Sequence, residues 1–80
     1  EWINILEEQD NKLKQFPGFW GHLEIKADAL FHLNRVSEAK SFYQEALKNT
    51  AEDKHLSKSE MREVTKRLRT KIKKCSKILR

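Results

Sequence analysis

Glycine occurs at two positions, Gly18 and Gly21, and proline at one, Pro17. With the turn-forming residues confined to one short stretch, a sheet of strands joined by tight hairpins is excluded. A single cysteine, Cys75, cannot form an internal disulfide, which fits a reducing compartment, so an intracellular location, cytoplasmic or nuclear, is expected. No apolar run approaches the roughly 20 residues of a membrane-spanning helix, and no signal-peptide pattern is visible. Eighty residues make one small domain with a marginal core and too few walls for an enzymatic cleft, so no catalytic activity is expected. The chain opens on Glu1 rather than Met and reads as a segment of a longer protein.

What is abundant is charge, at 36% of residues, together with apolar side chains at helical spacing. Four helices are predicted, over 2–16, 19–33, 37–49 and 58–79, and the fold class is all-α. Pro17-Gly18 ends the first helix, whose apolar positions Trp2, Leu6, Leu13 and Phe16 are interrupted by Gln9. Asn34, which tolerates the left-handed conformation, is placed to end the second helix, and Ser37 to cap the third. The stretch "TAEDKHL", residues 50–56, has no periodicity and reads as a connector. Ser57 and Glu60 form an S-x-x-E capping box at the start of the fourth helix.

Within "VSEAKSFYQEAL", residues 36–47, Ala39, Tyr43 and Ala46 lie four and then three residues apart. Leu23, Ala27 and Leu30 repeat that spacing on the preceding helix. Two helices thus carry matching stripes, and small residues at a crossing let two backbones approach to about 8 Å. The full set resembles the tetratricopeptide repeat, over about residues 17–51. The resemblance implies an antiparallel helical hairpin with packing helices at each end and a role in binding or assembling other proteins. Pro17 stands where that family often closes the preceding repeat, while Ala51 replaces the closing proline of this one. The family's basic, amide-lined clamp for a C-terminal carboxylate has no counterpart: the matching positions include Gly21, Glu24, Ile25 and Asp28. A second, weaker resemblance, carried by "SEAKSFYQEAL" and "RLRTKIKKCSKIL", is to the microtubule-interacting and trafficking domain, and implies a three-helix domain that binds a short helical motif.

Residues 54–80 hold eleven Lys and Arg against Glu60 and Glu63, a net +9, which leaves −4 for residues 1–53 within the total of +5. On the fourth helix Met61, Val64, Leu68, Ile72, Cys75 and Ile78 or Leu79 form an apolar seam. Arg62, Lys66, Arg69, Lys73, Lys77 and Arg80 form a basic row beside it, and Arg67, Lys71 and Lys74 flank the other side. A row of this kind is either a solvated surface or a site for a partner. The expected partner is another protein, a peptide or helix of acidic character, contacting Arg62, Lys66, Arg69, Lys73, Lys77, Ile78 and Leu79. Nucleic acid and an anionic membrane surface are the alternatives, and packing against neighbouring repeats of the same chain is a further one. Aromatic residues do not interleave with the row, which argues against recognition of single strands by base stacking.

No cofactor or metal is expected, since His22, His32 and His55 lack the spacing of a ligand set. Cys75 is flanked by Lys73, Lys74 and Lys77, which would favour its thiolate, but its place in the seam points to a core role. Trp20 is expected to pack over the Pro17-Gly18 hinge rather than to anchor a ligand.

Overall fold

The computed structural model describes all 80 residues, Glu1 to Arg80. Four helices, α1 (Trp2–Gln15), α2 (Trp20–His32), α3 (Val36–Ala51) and α4 (Lys58–Ile78), form a small all-α bundle without strands. Each helix packs on its neighbour in sequence, and α1 and α4 are the outer members of the array. The result is a slab of 33 × 31 × 16 Å rather than a closed bundle. Consecutive helices run antiparallel. Trp2 at the start of α1 stacks on His32 at the end of α2, with ring centroids 4.1 Å apart, while Ile78 and Leu79 share a hollow with residues 34–38 at the start of α3.

The α2–α3 hairpin is the centre of the core. Leu23, Ala27, Leu30, Ala39, Tyr43 and Ala46 are all buried there, in one cluster with Val36, Val64, Leu68 and Cys75. The three alanines have no solvent exposure, as the matched spacing predicts for methyls at a close crossing. Fully buried Leu30 and Leu68 each contribute on the order of 1.5–3 kcal/mol. The hairpin turn is a Schellman motif. Asn34 has φ 64°, its N–H donates to the Phe31 carbonyl, and the Arg35 N–H donates to the Leu30 carbonyl at 2.8 Å.

Some boundaries differ from those read in the sequence. Ser37 does not cap α3, because the helix starts at Val36 with Arg35 as its flanking residue and no side chain bonds its end. Arg35 instead pairs with Glu38. The helix also continues past Asn49 through Thr50 and Ala51, and the Thr50 hydroxyl, fully buried, donates to the Ala46 carbonyl at 2.8 Å. A hydroxyl that bonds its own helix satisfies itself without a turn, so a polar residue in "TAEDKHL" was no sign that the helix had ended. The capping box at Ser57 and Glu60 forms in both directions, at 3.0 and 3.1 Å.

Gln9, an interruption in the apolar stripe of α1, is that helix's one buried residue, and its side chain meets His22 at 3.1 Å. The Pro17-Gly18 corner is tied to the far side of the hairpin. Asn49 donates to the Gly18 carbonyl at 2.6 Å, and the Trp20 indole N–H donates to Asp53 at 2.8 Å. Gly18 has φ +80°, a conformation that side chains with a Cβ rarely adopt, and a Cβ there would sit 3.1 Å from the Asn49 amide.

Ala39→Leu or Ala46→Leu should destabilise the fold by roughly 1–3 kcal/mol, since the added carbons must enter the crossing. Thermal melts read this as a fall of about 4–8 °C per kcal/mol for a domain of this size. Melting together with the parent would mean that the two helices do not depend on a close approach.

Candidate functional site

The middle of the α4 seam is consumed by folding. Val64, Leu68 and Cys75 are buried in the core, and Ile72 packs against it. Burial pushes the Cys75 thiol above its ordinary pKa, and the positive charges of Lys40 and Lys74 offset this only in part, so Cys75 is a core thiol rather than a reactive one.

The basic residues of α4 divide into two groups with different surroundings. On the inner side, Arg67 donates two hydrogen bonds of 2.7 Å to the two carboxylate oxygens of Glu24. Lys71 reaches Glu24 at 2.8 Å and Asp28 at 3.0 Å, and the Tyr43 hydroxyl donates to Asp28. The Glu24 side chain is only 8% exposed. Burial by itself would raise its pKa, but the hydrogen bonds and charges of Arg67 and Lys71 outweigh that and hold the carboxyl below the ordinary value. Burial likewise raises the Tyr43 phenol, and the bond to Asp28 raises it further. Glu24 and Asp28 are therefore joined to the fourth helix.

The outer group is free of such partners. Arg62, Lys66, Arg69, Lys73 and Lys77 are all exposed, and none forms an ion pair within the chain. At about 100° per residue, Arg62, Lys66, Arg69 and Lys73 fall within about 60° of one another and about 100–180° from Val64, Leu68 and Cys75. The row thus points away from the core instead of running alongside the seam. A hollow of about 650 Å³ lies along it, but α4 alone supplies every wall, and one convex helix does not enclose a ligand.

Ile78 and Leu79 are exposed at 53% and 47%, beside the α2–α3 corner and the Arg35–Glu38 pair. They line a different hollow from the one along the row, although Lys77, the last lysine of the row, directly precedes Ile78.

A concave site lies on a different face, where α1 and α4 stand as two walls over α2. Trp2 and Ile5 form one wall, Lys71 and Lys74 the other, and Ile25, Phe31 and Tyr43 the floor, around a hollow of about 340 Å³. Ile25 is 42% exposed. Lys74 lies 5.4 Å from the centre of the Phe31 ring and makes no ion pair. Sequence reading missed this groove because its walls come from four helices with no common spacing. The available signals were an apolar residue at Ile25, where a buried stripe did not need one, and Trp2 at the start of α1.

Comparison with protein-family models, with curated proteins and with solved structures finds no match to this chain.

The Glu24 cluster generates a pH dependence. A carboxyl whose pKa is lower folded than unfolded adds stability above the unfolded value, and that stability disappears as pH falls through the folded value. Stability should therefore decline below about pH 4.5, the ordinary carboxyl value here. Glu24→Gln should cost on the order of 1–3 kcal/mol at pH 7, because Arg67 and Lys71 lose a charged acceptor, and should flatten the acid limb. Chemical denaturation from pH 3 to 7 measures both; equal acid sensitivity in the two proteins would count against the cluster.

Proposed function

We propose that the chain is a noncatalytic interaction module that holds a short segment of another protein in the groove between α1 and α4. The observation that carries this reading is the hollow in which exposed Ile25 and half-buried Phe31 lie beside the Lys74 ammonium, which has no ion-pair partner, with Trp2 and Ile5 opposite. Binding sites are typically concave and mostly apolar, with a few polar groups that fix orientation. An apolar side chain would lie against Ile25 and between the Trp2 and Phe31 rings, and a carboxylate next to it in the ligand would reach the Lys74 ammonium. The partner segment is accordingly a peptide or helix that combines an apolar anchor with acidic character.

The broader assignment, a helical-repeat scaffold of tetratricopeptide kind, is supported by the complete burial of the small-large-small stripe and by helices that pack on their neighbours in sequence. An array of that kind leaves one face concave, and the groove lies on such a face. Action inside the cell agrees with the single thiol, and no helix is long and apolar enough to cross a membrane.

Selection of displayed peptides against the chain tests the proposal. Enriched peptides should pair a large apolar residue with a neighbouring Asp or Glu, and bind at least tenfold more weakly to Ile25→Arg with Lys74→Glu. Their affinity for Arg69→Glu with Lys73→Glu should change little, because that face lies outside the groove. Failure to enrich any peptide, or equal binding to the groove variant, would refute the reading.

A further inference from the structure

The outer face of α4 has a chemistry distinct from that of the groove. Lys58, Arg62, Lys66, Arg69, Lys73 and Lys77 follow one another at steps of three or four residues, which on a helix is about 4.5–6 Å per step and about 28 Å from first to last. They are exposed and lack internal ion-pair partners. Of the two acidic residues of α4, Glu60 is committed to the capping box, and Glu63 flanks the row, about 60° around the helix from Lys66, without forming an ion pair. The apolar residues of α4 between Val64 and Cys75 point into the fold.

We propose that this face binds the phosphate backbone of a double-stranded nucleic acid, without reading its sequence. Three features select that ligand class. Protein–protein interfaces centre on a desolvated cluster of aromatic or aliphatic anchors and are depleted in lysine, whereas this face holds four lysines and no apolar centre. Single strands are gripped by stacking bases on aromatic rings, and none stands in the row. A rigid straight row of cations instead suits a rigid polymer with charge at a fixed interval, about one phosphate per 3.4 Å on each strand of a duplex.

The position of α4 in the slab makes the contact accessible. As an outer member of the array, it offers its exposed side along its whole length. Because the cations share one face of a helix whose other side is buried, α4 can lie against the outside of a duplex with its row along one phosphate strand. The opposite edge, α1, carries Glu7, Glu8 and Asp10 close to Glu1, against Lys12 and Lys14. This polarity turns the basic edge toward a polyanion as the molecules approach.

Fluorescence anisotropy of a labelled 20-base-pair DNA duplex, titrated with the 80-residue chain at 50, 100 and 200 mM salt, tests the proposal. Binding is expected in the micromolar range or tighter at 50 mM, with a slope of log K against log salt near −5 if all six cations engage phosphates. Lys66→Gln with Lys73→Gln should reduce the slope by about 2, and Arg69→Glu with Lys73→Glu should weaken binding at 50 mM at least tenfold, with circular dichroism melts like the parent's. The groove variant Ile25→Arg should bind the duplex as the parent does, which separates this site from the peptide site. Absence of binding at 50 mM would overturn the proposal, as would charge-reversal variants that bind like the parent. Competition by poly-glutamate of equal total charge that matches unlabelled duplex would also overturn it, and would assign the face to an acidic protein instead.

Discussion

Ala27, Ala39 and Ala46 are fully buried between α2 and α3, and the close approach of those two helices is the constraint on which the remaining structure rests. With only methyl groups at the crossing, the large side chains to either side, Leu23, Leu30 and Tyr43, can pack around it in a single layer. The hairpin so formed is flat, with one face left for α1 and another for α4. In a chain of 80 residues this arrangement puts much of the available apolar surface into one continuous core, and leaves the outer helices stabilised by fewer apolar side chains.

The fourth helix is held by two kinds of interaction that set its rotation. Val64, Leu68 and Cys75 supply the apolar contact, and the Glu24, Asp28, Arg67, Lys71 and Tyr43 cluster supplies the directional one. An apolar seam alone would tolerate some rotation about the helix axis, whereas two parallel hydrogen bonds from a guanidinium to one carboxylate tolerate little. With that rotation set, Lys71 and Lys74 line the groove, Arg67 is held by Glu24, and Arg62, Lys66, Arg69, Lys73 and Lys77 face outward. The proposed peptide site and the proposed duplex site therefore depend on the same polar cluster, although they share no contacting residue.

Much of the fold was legible because it follows from local rules. The scarcity of glycine and proline, the left-handed tolerance of Asn34 and the Ser57–Glu60 box delimit helices by short-range geometry. The stripe of Leu23, Ala27, Leu30, Ala39, Tyr43 and Ala46 is legible because helical spacing turns sequence distance into a shared face. Gln9 was misread for the converse reason. A polar residue in an apolar stripe looks like a defect until the partner that satisfies it is known, and His22 comes from another helix. Ser37 was misread because its capping competence is a property of the residue, while the actual helix start was set by how the turn at Asn34 and Arg35 closed.

The sequence by itself determined the helical class, the hairpin and the strong positive charge of α4, since each depends on residue type and on spacing within one helix or an adjacent pair. Only the tertiary structure decided which of the cations are neutralised. Glu24 lies 43 residues from Arg67 and 47 from Lys71, and no local periodicity links them. It also decided that Ile78 and Leu79 share a hollow with residues 34–38, and that a groove opens where Trp2, Ile25, Tyr43 and Lys74 meet. The physical reason is that a helix's own repeat specifies which side chains share a face, but the rotation of each helix against its neighbours specifies what that face meets.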